Sequence, residues 1–148
     1  MDIEKLLEED NIIQMKPQGW SMYPLIYYGR DAAVIEPADV EKLKRGDVVL
    51  YRRDKGILVL HRIWKRTEEG FYLVGDNQVE IEGPLRPDQM KGRMIRVIRK
   101  GKEISVDSVG YKLYARVWLW LRPCRPVLSK IVHVLKGGFH GIKNFKKK

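Results

Sequence analysis

Met94-Ile95-Arg96-Val97-Ile98 runs through Lys100-Gly101 into Glu103-Ile104-Ser105-Val106, and this stretch decides the fold class. Two β-branched-rich runs joined by a Gly-containing turn predict a hairpin. The same unit recurs towards the N-terminus. Ala32-Ala33-Val34-Ile35 stops at Pro37, Asp47-Val48-Val49-Leu50-Tyr51 follows Lys44-Arg45-Gly46, and Ile57 to Ile63 follows Asp54-Lys55-Gly56. Phe71-Tyr72-Leu73-Val74 then lies between Glu69-Gly70 and Gly75-Asp76-Asn77. Strands this short and evenly spaced predict a mainly β chain, a coiled antiparallel sheet or small barrel. Asp2 to Glu9 predicts a short amphipathic helix, with Ile3, Leu6 and Leu7 opposite its glutamates.

The period changes near residue 109. Tyr111, Leu113, Tyr114, Val117, Trp118 and Leu121 recur at helical spacing until Pro123 and Pro126 interrupt them. Val127 to Leu135 predicts a second short helix. Charge changes at the same place: residues 108–148 hold ten of the 29 Lys and Arg and none of the 19 Asp and Glu. Residues 1–107 therefore carry 19 of each and are neutral, and the whole excess of +10 belongs to the C-terminal part. The expected organisation is a β-domain over 1–107 and a basic amphipathic helical appendage over 108–148.

At 148 residues, 44% of them hydrophobic and 32% charged, the chain has the size and balance of one folded domain rather than a disordered tail. It has no apolar run of about 18 residues to span a membrane, and its acidic start is the wrong chemistry for a cleavable export signal. Cys124 stands alone, which excludes an internal disulfide and any site built from several cysteines. Both a peripheral-membrane and a cytoplasmic location fit.

Gly19-Trp20-Ser21-Met22-Tyr23-Pro24 holds a serine between large apolar residues in a loop stiffened by Pro24, the setting of a held nucleophile. A hydroxyl needs a base to take its proton. Of the three histidines, His133 and His140 lie in the basic part, which leaves His61 on the strand Ile57–Ile63. A third group must orient the imidazole, and Asp76, in the turn after the next strand, is the natural choice. Each residue alone also has an ordinary structural explanation: a loop serine, a strand histidine, a Gly-Asp-Asn turn.

Taken in order, the boxes resemble one family. Ser21-Met22-Tyr23-Pro24 is similar to the Ser-Met-x-Pro box of the type I signal peptidase and SOS-repressor serine peptidase superfamily. Arg45-Gly46-Asp47-Val48-Val49, Gly75-Asp76-Asn77 and Gly92-Arg93-Met94 resemble its later boxes. His61-Arg62-Ile63 stands where bacterial signal peptidases carry Lys-Arg-Val, which places the likeness with the histidine-containing archaeal, endoplasmic-reticulum and spore-former branch. The resemblance spans about residues 17–98 and implies a Ser-His-Asp mechanism. Three features depart from the pattern. No membrane helix precedes the serine. Gly19 stands where many members carry a hydroxyl, which implies an oxyanion hole of backbone amides, those of Trp20 and Ser21. Glu82 stands where a second Asp often follows, so Asp76 or Glu82 orients His61, with Asp76 favoured.

The function these residues imply is a serine endopeptidase that cleaves leader or signal-like segments of an extended peptide, without metal or organic cofactor. An ordinary histidine base predicts activity rising through about pH 6–7. The aromatic, basic stretch 109–136 suits an anionic membrane surface; the competing expectation is that Leu113, Val117 and Leu121 cap the β-body. Two alternatives come from other classes: a DNA-associated regulator of the SOS-repressor kind, and an inactive peptidase-fold interaction module. The short N-terminal segment and His61 weigh against nucleic acid as a partner.

Overall fold

The computed structural model describes residues 3–54 and 56–121. The helix expected over Val127–Leu135 lies outside them. The elements run α1 (Ile3–Glu8), β1 (Ile13–Met15), β2 (Ala32–Pro37), β3 (Val48–Arg52), β4 (Leu58–Thr67), β5 (Gly70–Val74), β6 (Glu82–Leu85), β7 (Met90–Arg99), β8 (Lys102–Ser105) and α2 (Val109–Trp120). The eight strands form one antiparallel sheet, ordered β1-β2-β7-β3-β4-β5-β6, with β8 also paired to β7. The sheet is open, so of the two expected forms it is the coiled sheet and not the closed barrel.

β3 explains the architecture. Val48, Val49, Leu50 and Tyr51 are all buried, and alternate side chains leave opposite faces. Val48 and Leu50 enter one core with Leu7, Met22, Ile26, Met94 and Tyr111. Val49 and Tyr51 enter a second with Leu43, Ile63, Phe71 and Leu73. A strand covered on both faces has to be apolar almost throughout, and this one is. The β7–β8 hairpin turns through Lys100 and Gly101, both at positive φ (51° and 79°), the two-residue geometry that matches strand twist.

α2 starts at Ser108, whose side chain accepts from the Tyr111 amide. Its Tyr111 and Ala115 are part of the first core. The expected capping by Leu113 and Val117 does not occur. Both are exposed, and Tyr111, Ala115 and Leu119 point inward instead. A helical stripe chosen by spacing alone can be displaced, here by two residues to the opposite side, because aromatic and aliphatic positions cover most of this helix.

Candidate active site

Ser21 lies in the long connection between β1 and β2, anchored by the buried side chains of Met22, Leu25 and Ile26. Trp20, Tyr23, Tyr27 and Tyr28 cluster on its outer side, the Trp20 and Tyr27 rings 4.9 Å apart edge to face. Gly19 enters the loop at φ +80°, a conformation that a residue with a Cβ rarely adopts. That backbone conformation accounts for glycine at this position. Among the described residues the main-chain amides of Trp20 and Ser21 donate no hydrogen bond.

The loop rests on the Gly75-Asp76-Asn77 turn. The Asn77 amide donates to the Ser21 carbonyl at 2.8 Å, and a Cβ on Gly75 would lie 2.6 Å from that same oxygen. Glycine is required here by close approach. Gly75 directly follows Val74, the register partner of Arg62, so the Ser21 main chain is brought to the turn that borders His61. Among the described residues no hydrogen bond joins Ser21 to His61.

His61 is 4% exposed. Its Nδ1 lies 3.1 Å from the Tyr51 hydroxyl, which donates to Glu82 Oε2 at 2.5 Å. Glu82 is gripped by Arg53 through Nε (2.9 Å) and a terminal nitrogen (3.1 Å). Burial alone would raise the Glu82 carboxyl, but the hydrogen bonds from Arg53 and Tyr51 outweigh it and leave its pKa below the ordinary value. Burial, then the Glu82 bond, push the Tyr51 phenol up, so it keeps its proton.

These charges fix the imidazole. Tyr51 has one proton, and an ionised Glu82 only accepts, so that proton points at Glu82. The Tyr51 oxygen therefore accepts from His61 Nδ1–H, and Nε2 carries the lone pair. Burial drives the His61 pKa down to about 4, partly opposed by the Glu82 charge, so the ring is neutral at pH 7. The ring faces a cleft of about 470 Å³ bordered by Arg53 and the segment Gln78–Glu82.

Asp76 sits elsewhere than the sequence suggested. Both its carboxylate oxygens accept from Arg62 at 2.8 Å, with both side chains wholly buried. Tyr114 donates to the same carboxylate at 2.8 Å, and the Trp118 indole donates to the Asp76 carbonyl at 2.6 Å. The group at His61 Nδ1 is Tyr51, backed by Glu82, and not Asp76. The physical reason is strand alternation: Asp76 serves Arg62, the residue next to His61, whose side chain leaves the opposite face. Sequence reasoning missed Tyr51 and Arg53. The available signal was Tyr51 itself, a phenol inside an apolar run whose hydroxyl needs a buried partner.

Among the described residues no group of three His, Cys, Asp or Glu side chains is placed to hold a metal, and no helix is long and apolar enough to cross a membrane. Comparison with protein-family models, curated proteins and solved structures finds no significant match.

Proposed function

We propose that this protein is a serine endopeptidase of the histidine-containing signal peptidase kind, acting on leader or signal-like segments of peptides. The observation that carries the reading is the neutral His61, with Nδ1 occupied by the Tyr51–Glu82 pair and a lone pair left on Nε2, beside the turn that holds the Ser21 loop. An extended peptide enters the cleft along Gln78–Glu82. Ser21 Oγ attacks the scissile carbonyl as His61 Nε2 takes its proton, and the Trp20 and Ser21 amides receive the oxyanion. His61 returns the proton to the leaving amine, and water, activated by the same imidazole, then releases the acyl group from Ser21. While His61 is protonated, the Glu82 charge stabilises the imidazolium through Tyr51. Tyr51 and Glu82 are positioning residues in this scheme.

The test is acylation by a fluorophosphonate probe, with the adduct located by mass spectrometry. Label on Ser21 that disappears in Ser21→Ala and His61→Ala is the expected result. Equal labelling of wild type and both variants would refute the proposal.

A further inference from the structure

The outer face of α2 has no partner among the described residues. Val109, Leu113, Val117 and Trp120 are 83%, 62%, 43% and 78% exposed. Their spacing of four, four and three residues puts them in one stripe along the helix. Lys112 and Arg116 run beside that stripe. Next to them opens a cleft of about 560 Å³ between α2 and the Lys44–Asp47 turn, which adds Lys44 and Arg45 to its wall. These four cations have no ion-pair partner among the described residues, whereas Arg93, also in the wall, is paired with Glu36 and Asp47. Asp47, which pairs with Arg93, and Asp107 also line this cleft, and residues 108–148 contain no acidic side chain.

An apolar stripe edged by uncompensated cations has few complementary surfaces. Nucleic acid would use the cations but has no place for exposed Val109, Leu113 and Val117. A second copy meeting this face about a two-fold axis would set its own Lys112 and Arg116 against the same charges. An anionic bilayer satisfies both halves, with the stripe at the headgroup–acyl boundary and lipid phosphates in the basic cleft. We propose that α2 is an interfacial helix through which the protein docks on anionic lipid. The side chains of this stripe point away from Arg62 and Asp76, which only the inner face of the helix contacts, so substitutions in the stripe leave the chemistry at Ser21 untouched.

The experiment uses the full chain in co-sedimentation with phosphatidylcholine vesicles, with and without phosphatidylglycerol. Wild type is expected to partition onto the anionic vesicles only. Lys112→Ala/Arg116→Ala should weaken partitioning roughly thirtyfold, from about 1 kcal/mol for each cation near an anionic surface. Leu113→Glu/Val117→Glu should weaken it by at least about tenfold. Circular dichroism and the melting midpoint report whether each variant is folded, and the alanine pair, at exposed positions of a helix, guards against a misfolded glutamate pair. Fluorophosphonate labelling of Ser21 in lipid-free solution should be the same in all three proteins. A folded Leu113→Glu/Val117→Glu variant that partitions like wild type would overturn the proposal, since basic residues elsewhere would then suffice. So would failure of wild type to bind anionic vesicles, or a lipid-free dimer that the glutamate pair dissociates.

Discussion

Tyr51→Phe isolates the hydroxyl between His61 and Glu82. The phenol is fully buried, so phenylalanine keeps the packing and removes one oxygen. Glu82 retains both bonds from Arg53, and the loss therefore falls on His61, whose Nδ1–H is left buried without an acceptor. Leaving a buried donor unsatisfied costs about 1–3 kcal/mol. The imidazole can escape that cost by moving its proton to Nε2, the tautomer that cannot accept a proton from Ser21. The same energy then sets the penalty on the reactive tautomer, roughly fivefold to 150-fold in rate. The assay is the second-order rate of Ser21 acylation by a fluorophosphonate across pH 5–8, with the urea midpoint measured beside it. A merely structural defect would lower the midpoint and leave acylation of the folded fraction unchanged. Acylation within about twofold of wild type in folded Tyr51→Phe would refute the tautomer argument.

Four further outcomes follow from the same geometry. His61 has a folded pKa of about 4 against an ordinary 6.5, so the unfolded chain binds the extra proton between those values. The contribution to stability is present above about pH 6.5 and is lost as pH falls towards 4, by about 3 kcal/mol in all; His61→Gln should flatten that part of the denaturant-midpoint curve, and parallel curves would contradict it. The acid limb of wild-type acylation should accordingly lie near pH 4, and Glu82→Gln, which removes the charge raising His61, should move it lower still. Asp76→Ala leaves Arg62 buried without its counter-charge and should cost about 3–5 kcal/mol by urea denaturation; a change below about 1 kcal/mol with acylation lost would return Asp76 to the orienting role. Gly75→Ala drives a Cβ against the Ser21 carbonyl and should lower both the melting midpoint, by about 1–3 kcal/mol in stability, and the acylation rate. Unchanged values of both would show that the turn does not hold the serine loop.

The central strands were legible because burial on both faces leaves a nearly unbroken apolar run, as in Val48–Tyr51. β1 and β6 were not. Ile13-Gln14-Met15 is too short to show a period, and Glu82-Gly83-Pro84-Leu85 contains residues that central strands reject but edge strands tolerate. β4 runs four residues past Ile63 because, after a shift in the β4–β5 register at Trp64, Lys65 to Thr67 pair with β5 while their side chains stay in solvent. In the site, Ser21 and His61 stood out as uncommon residues in apolar surroundings. The partner of Asp76 did not, since a carboxylate in a turn after a strand is within reach of either of two adjacent residues, and only register decides between Arg62 and His61.

The change of charge at residue 107 also needs a physical interpretation, because it does not coincide with a change in packing. α2 lies beyond it, yet Tyr111 accepts from Arg62, Tyr114 donates to Asp76, and Trp118 donates to the Asp76 carbonyl. Asp76 is followed by Asn77, whose amide holds the Ser21 carbonyl. Three polar links and one peptide unit thus lead from the inner face of α2, through a buried ion pair, to the main chain of the proposed nucleophile. The contact is fixed by a guanidinium and a carboxylate that each bond one phenol, and by an indole that donates to the main-chain carbonyl of Asp76. Basic residues are therefore excluded from the inner face, where Arg62 already supplies the cation, and collect on the outer face beside the apolar stripe. The asymmetry of α2 arises from having one face committed to the site and the other free to meet an anionic surface.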